Sequence, residues 1–338
     1  GAFAGCTGLT SVTLQGNMKY TTKSMFKDCR NLTNIVIPEG VVGIRTETFY
    51  NCTKLNTITI PKSLKTLGND CFSGVPMTTV YYNGSIEDWC SIYFGSTIDY
   101  RPSAIPNNGN CTIYIGGELA PNDLVIPNGV TSIPYHAFQS WNNLTSVVIP
   151  DSVTEIGGST FAYCNSLTSV TIPAGVTRIC GGAFLSCNNL VSISIPAGVT
   201  SIGWDAFDGC SSLTSITIPS SVTSIGSSAF NDCRALEHVD LSSSVKTIGE
   251  SAFYNCDALT QVTLPSTLIT IDNYAFQDCD ALESIEIPKS LESTSDVYGG
   301  DHGWAYGVFY GCDSLKNVTF ENCNLEATSF NEIKWKDL

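Results

Sequence analysis

The sequence predicts one elongated solenoid of stacked coils, mainly parallel β with short helical or 3-10 turns, and three observations carry that prediction. Phenylalanine recurs with a period of 23 at Phe3, Phe26, Phe49 and Phe72, and again at Phe138, Phe161, Phe184, Phe207, Phe230, Phe253 and Phe276. Cysteine follows three residues later at Cys6, Cys29, Cys52, Cys164, Cys187, Cys210, Cys233, Cys256, Cys279 and Cys312, with Trp141 in that place after Phe138. Composition is the third: only 14% of the 338 residues are charged while 43% are apolar. Soluble domains carry roughly a quarter charged residues. Such length would ordinarily mean about two domains, but a fixed internal period overrides that estimate.

Within one coil the elements follow in order. Leu213, Ile216 and Ile218 alternate with Thr214, Ser215 and Thr217, which suits an extended strand with its apolar side inward. Pro219 lacks an N–H and ends the ladder. A second short strand turns Val222 and Ile225 inward, and Gly226, repeated as Gly157, Gly203 and Gly249, reads as a permissive turn. Phe230 and Cys233, three apart, then share one face of a helical or 3-10 turn. A lone coil cannot bury its apolar side, whereas stacked coils share a continuous interior and pair strand to strand.

These units resemble the BspA-like subgroup of bacterial leucine-rich repeat proteins, the segment LTSITIPSSVTSIGSSAFNDC of residues 213–233 being a representative copy. The resemblance covers nearly the whole chain and implies a leucine-rich repeat solenoid. It also implies an exported or cell-surface protein of a host-associated bacterium, whose relatives bind extracellular matrix proteins or other cells. The family offers no catalytic motif to carry over.

The organisation expected is a single domain, 1–338. Regular coils run over 1–72, an irregular variant over 73–121, regular coils again over 122–320 with an insertion near 296–307, and a C-terminal cap over 321–338. The irregular segment holds Val80-Tyr81-Tyr82-Asn83-Gly84, Asp88-Trp89-Cys90, Tyr93-Phe94-Gly95 and Ile113-Tyr114-Ile115-Gly116-Gly117, a pattern for a variant coil with a protruding helix or hairpin. Its aromatics either fill the core or protrude to bind. The insertion places Tyr298, Asp301, His302, Trp304 and Tyr306 among four glycines, either a carbohydrate or peptide contact set or a loop shielding the solenoid end. The chain starts in mid-unit, which suggests a mature piece whose upstream export signal has been removed.

Charge excludes one class of partner. With 16 basic against 31 acidic residues the net charge is −15, and nucleic acid needs clustered Lys and Arg. The asymmetry is steep: residues 1–70 hold eight basic and four acidic residues, residues 231–338 six and eighteen. No stretch is apolar enough to span a membrane.

The outward strand positions form hydroxyl-rich columns. One runs Thr13, Thr59, Thr171, Ser194, Thr217, Asp240, Thr263, Glu286, Thr319, and its neighbour carries Ser169, Ser192, Ser215, His238, Gln261 and Ser284. Glu237, Asp240, Glu283 and Glu286 mark the C-terminal part as a candidate binding face, against the plainer reading of a solvated sheet. Ten of the 15 cysteines sit at the repeat position and read as buried reduced thiols; disulfides or a metal are the alternatives. His136, His238 and His302 are far apart in sequence and no CxxC pair occurs. Neither catalytic nor cofactor residues are identified, and the chain reads as a non-enzymatic interaction module. Its partner would be a host or bacterial surface protein; the alternatives are a glycan bound by aromatic insertions, or a structural spacer.

Overall fold

The computed structural model describes residues 1–15, 17–95, 111–294 and 307–321, and the chain divides into two compact units, 1–164 and 165–338. Both are parallel β-solenoid. In the first, Asn34–Val36, Thr57–Ile60, Thr79–Tyr82 and Thr112–Ile115 pair in that order, and Glu118–Leu119 adds an antiparallel edge. A second row runs Gly43–Ile44, Thr66–Leu67, Tyr93–Phe94. Beyond it, Asp123–Val125 pairs with Ser146–Val148 and Ser132–Ile133 with Glu155–Ile156.

In the second unit the first row comprises Ser169–Thr171 with Ser192–Ser194, then Ser215–Thr217, His238–Asp240 and Gln261–Val262, then Ser284–Ile287 with Asn317–Phe320. Six two-residue strands from Arg178–Ile179 to Ser293–Thr294 form the other row. Register follows the period: Ser215 faces His238 and Ile216 faces Val239.

The core is the predicted one. Leu213, Ile216, Ile218, Val222, Ile225, Ala229, Phe230 and Cys233 are all buried. Successive phenylalanine rings stack nearly parallel, with centroids 5.2 Å apart for Phe207–Phe230 and 5.1 Å for Phe253–Phe276. The insertion leaves the stack intact, since Phe276 and Phe309 remain 5.5 Å apart. In the irregular segment Tyr82, Trp89 and Phe94 fill the interior, and the Trp89 indole N–H donates to the Ala137 carbonyl at 2.7 Å. Both predicted protrusions exist in small form. A four-residue helix, Ile86–Trp89, is capped reciprocally by Ser85 and Asp88, and Gly116-Gly117, both at positive φ, turn the hairpin.

Two local expectations are refined. Of the helical or 3-10 turn expected at Phe–Cys, the 3-10 form is the one bonded, Cys29 N–H to the Phe26 carbonyl at 3.1 Å, as a single turn. Residues two before and two after the phenylalanine are left-handed, as Ser24 and Asp28 (φ 54° and 59°) or Ser228 and Asp232 (φ 53° and 54°) show. That reversal aims alternate N–H groups at the next coil: Ser24, Phe26 and Asp28 donate to the Thr46, Thr48 and Tyr50 carbonyls at 3.0, 2.8 and 2.9 Å. A helix would have spent those groups internally, leaving this side of the coil without a ladder.

The second refinement concerns Gly226 and its equivalents, which have no positive φ. They are required by proximity. A Cβ on Gly226 would lie 2.5 Å from the Trp204 nitrogen, on Gly249 2.6 Å from Ser227 nitrogen, and on Gly157 2.4 Å from Tyr135 nitrogen. The preceding coil's backbone occupies the place a side chain would take.

The repeat cysteines also have a specific role. The thiols of Cys29, Cys52, Cys164, Cys210, Cys233, Cys256, Cys279 and Cys312 each donate to the phenylalanine carbonyl of the preceding coil, for example Cys52 to Phe26 at 3.1 Å, Cys233 to Phe207 at 3.3 Å and Cys279 to Phe253 at 3.2 Å. All 14 cysteines among the described residues are free. Burial pushes the Cys52 and Cys164 thiols up to about 12, so they stay protonated donors.

Candidate interaction surface

Alternation along the first-row strands sets which residues reach solvent. His238 and Asp240 face out while Val239 is buried, and Ser284 and Glu286 face out around buried Ile285. Glu237 and Glu283, one residue before each strand, are exposed as well. Asp240 and Glu286 therefore project from the outward side of their strands, while Glu237 and Glu283 are exposed just before those strands. They divide into two pairs, Glu237 with Asp240 in one coil and Glu283 with Glu286 two coils on, separated by roughly 10 Å at the usual strand spacing. The Glu283 carboxylate meets Lys316 Nζ at 3.5 Å across the outer strand pair, while Glu286 faces Thr319.

Between these carboxylates and the outer strands lies a groove of about 410 Å³, lined by Gln261, Thr263, Ser266, Ser284, Glu286, Thr319 and Glu321 among others. Its walls offer carboxylates that accept hydrogen bonds and amide and hydroxyl groups that both donate and accept, beside apolar Val262, Leu264, Ile285 and Pro288. The carboxylates suit it to a cationic partner.

The remaining predicted site residues, Tyr298, Asp301, His302, Trp304 and Tyr306, lie outside the described residues. So does the predicted cap, 321–338, except for Glu321, and the insertion near 296–307 except for Gly307.

The outward column read from the sequence missed apolar members. Strand register sets Val36 between Thr13 and Thr59, and Tyr81 and Tyr114 after Thr59. Val36, Val125 and Val148 are 57%, 63% and 56% exposed, and the Tyr81 and Tyr114 rings stack at 4.8 Å. Counting 23 from Thr13 would have found Val36. Tyr81 is displaced by the 22-residue step from Thr59 and is reached only through the pairing.

Among the described residues no nucleophile and base are assembled at Cys90, Cys111 or His136. Burial pushes the Cys90 and Cys111 thiols up to about 12, and buried His136 holds Gln139 Oε1 through Nδ1 at 2.8 Å. His238 stands alone of its kind on the sheet. Among the described residues no group of three or more His, Cys, Asp or Glu is placed to hold a metal ion.

The model of the BspA type leucine rich repeat region matches residues 1–99, 120–235 and 200–298, in six copies. The chain belongs to this family. Solved structures of similar build include a leucine rich cell surface protein from Faecalibacterium prausnitzii, 27% identical, covering 88% of this chain and 82% of that one with a TM-score of 0.52. A leucine-rich repeat protein from Bacteroides ovatus is 26% identical over 92% of this chain and 85% of that one, at a TM-score of 0.46. One from Eubacterium ventriosum shares 17% identity over 91% and 84% of the two chains at 0.50, a likeness of fold alone. No curated protein matches. In this BspA-type chain none of these comparisons indicates an enzyme family, and among the described residues no helix is long and apolar enough to cross a membrane.

Proposed function

We propose that this BspA-type chain is an exported or cell-surface protein-interaction module, adhering to a protein of a host or of a neighbouring cell through the acidic sheet face of its second unit. One observation carries the reading: Asp240 and Glu286 project outward from the parallel sheet, with Glu237 and Glu283 exposed one residue before those strands, in coils whose other outward positions are hydroxyls, His238 and Gln261. A fixed array of carboxylates complements a basic patch and speeds its encounter. The cell-surface name of the Faecalibacterium relative supports the location.

The test is binding of the full chain to immobilised matrix proteins, with Glu237→Lys, Asp240→Lys, Glu283→Lys and Glu286→Lys combined. A bound partner should be lost by about tenfold or more in affinity. Equal affinity of the variant would exclude this face.

A glycan held by Tyr298, Trp304 and Tyr306 is the second reading, favoured by two tyrosines, a tryptophan and four glycines within the insertion. Deleting 297–306 should then abolish glycan-array binding and leave protein binding unchanged. Absence of both activities would favour a spacer.

A further inference from the structure

We infer that the second strand row of the first unit is a docking surface for an acidic polysaccharide, laid across Tyr20, Gly43, Thr66 and Tyr93 and held by Lys19 and Lys65. Register puts the first four in one line: Tyr20 bridges Gly43, Gly43 faces Thr66, and Thr66 faces Tyr93. At the usual spacing of strands the line spans roughly 14 Å, about the length of three sugar rings. Tyr20 and Tyr93, at its ends, are 46% and 54% exposed. Between them Gly43 has no side chain and is buried, because the Tyr20 ring leans over it so closely that a Cβ there would meet ring carbon at 2.7 Å, and Thr66 is exposed.

The neighbouring column supplies charge. Lys19, Val42 and Lys65 precede Tyr20, Gly43 and Thr66, and both lysines are exposed. Lys65 is anchored through Nζ, which donates to Ser91 Oγ at 3.0 Å. Arg45 adds a third cation, its guanidinium 4.6 Å from the Tyr20 ring centroid. None of these three cations forms a salt bridge, unlike Lys27 with Glu47 and Arg30 with Asp28.

The departure from the repeat marks the surface as more than generic. Corresponding positions in the second unit are Thr177, Thr200, Thr223, Lys246, Ile269 and Glu292, and Arg178, Ser201, Ser224, Thr247 and Thr270. There the two cations stand three coils apart and no tyrosine occurs, whereas the first coils bring two lysines and two tyrosines together. The exposed Tyr93 face can take the C–H side of a pyranose while the lysines pair its carboxylate or sulfate groups, and the Tyr20 ring holds the Arg45 guanidinium over it as a further cation at the other end. Three of the eight basic residues within 1–70, Lys19, Arg45 and Lys65, lie beside the row, in a chain of net charge −15.

Binding of the full chain to polygalacturonate, dextran sulfate, neutral dextran and polyglutamate tests the assignment. The two acidic polysaccharides should bind and neutral dextran should not, with affinity falling as salt rises from about 0.05 to about 0.5 M. Lys19→Glu with Lys65→Glu, and separately Tyr20→Ala with Tyr93→Ala, should each cost about tenfold. Lys246→Glu is the control, since that lysine holds the same repeat position in the second unit between Thr223 and Ile269; it should change nothing. Unchanged melting of each variant keeps folding out of the comparison. No binding to either acidic polysaccharide would overturn the inference. So would a Lys246→Glu loss equal to that of the paired lysines, or polyglutamate binding that survives the tyrosine substitutions and matches that of polygalacturonate.

Discussion

At Gly226 a single added methyl would have to share space with the Trp204 amide nitrogen, 2.5 Å away. Backbone cannot yield as a flexible side chain can, so Gly226→Ala should destabilise the second unit by ~2 kcal/mol, read as a lower midpoint in urea. Asp208 makes a different prediction. Burial, with Asp205 and Asp232 adding repulsion, raises its carboxyl to about 6 from 3.8, opposed by the hydrogen bond from Asn231 Nδ2 at 2.9 Å. The folded state thus favours the neutral acid. Its contribution to stability is full below pH 3.8 and is lost as pH rises through about 6. Asp208→Asn keeps an acceptor for Asn231 and removes the charge, so its melting temperature should exceed the parent's at pH 7 and converge with it near pH 4. A parent and variant that melt alike across that range would show Asp208 to be solvated.

Among elements, the Phe–Cys turn explains most about stacking. Left-handed residues on either side of the phenylalanine free three N–H groups per coil for the next coil, and the cysteine thiol adds a fourth link. Strand rows supply ladders on two sides, and the turn supplies the third. Phe230 stacks at 5.2 Å on both Phe207 and Phe253, so Phe230→Ala removes two ring contacts and leaves a void between coils. The expected loss is about 3–5 kcal/mol by chemical denaturation. A cost below about 1 kcal/mol would mean that the neighbouring coils close up.

For the molecule as a whole, stability is a sum of coils and nearest-neighbour interfaces within each unit. The disturbance from Phe230→Ala should therefore be local. Hydrogen exchange should quicken in the coils around Phe207, Phe230 and Phe253, while the amides of Phe26, Phe49 and Tyr82 keep their protection. Uniform acceleration through both units would instead indicate one cooperative body.

Periodicity made the solenoid legible without any coordinates: Leu213, Ile216, Ile218, Phe230 and Cys233 recur at a fixed interval, and only stacking can hide such a pattern. The same periodicity located Asp240 and Glu286 on the outward side of their strands, because side-chain direction alternates with every residue; Glu237 and Glu283, of the opposite parity, are exposed just before those strands. What the amino-acid order could not decide was how closely neighbouring backbones approach and which peptide groups bond along the stack. Sequence therefore reads Gly226 as a turn and the cysteines as simple filler, and it does not place Tyr81 in the outward column or line up Tyr20 with Tyr93. Distances between coils, and pairings that skip 22 or 33 residues at the irregular steps, exist only once the chain has closed on itself.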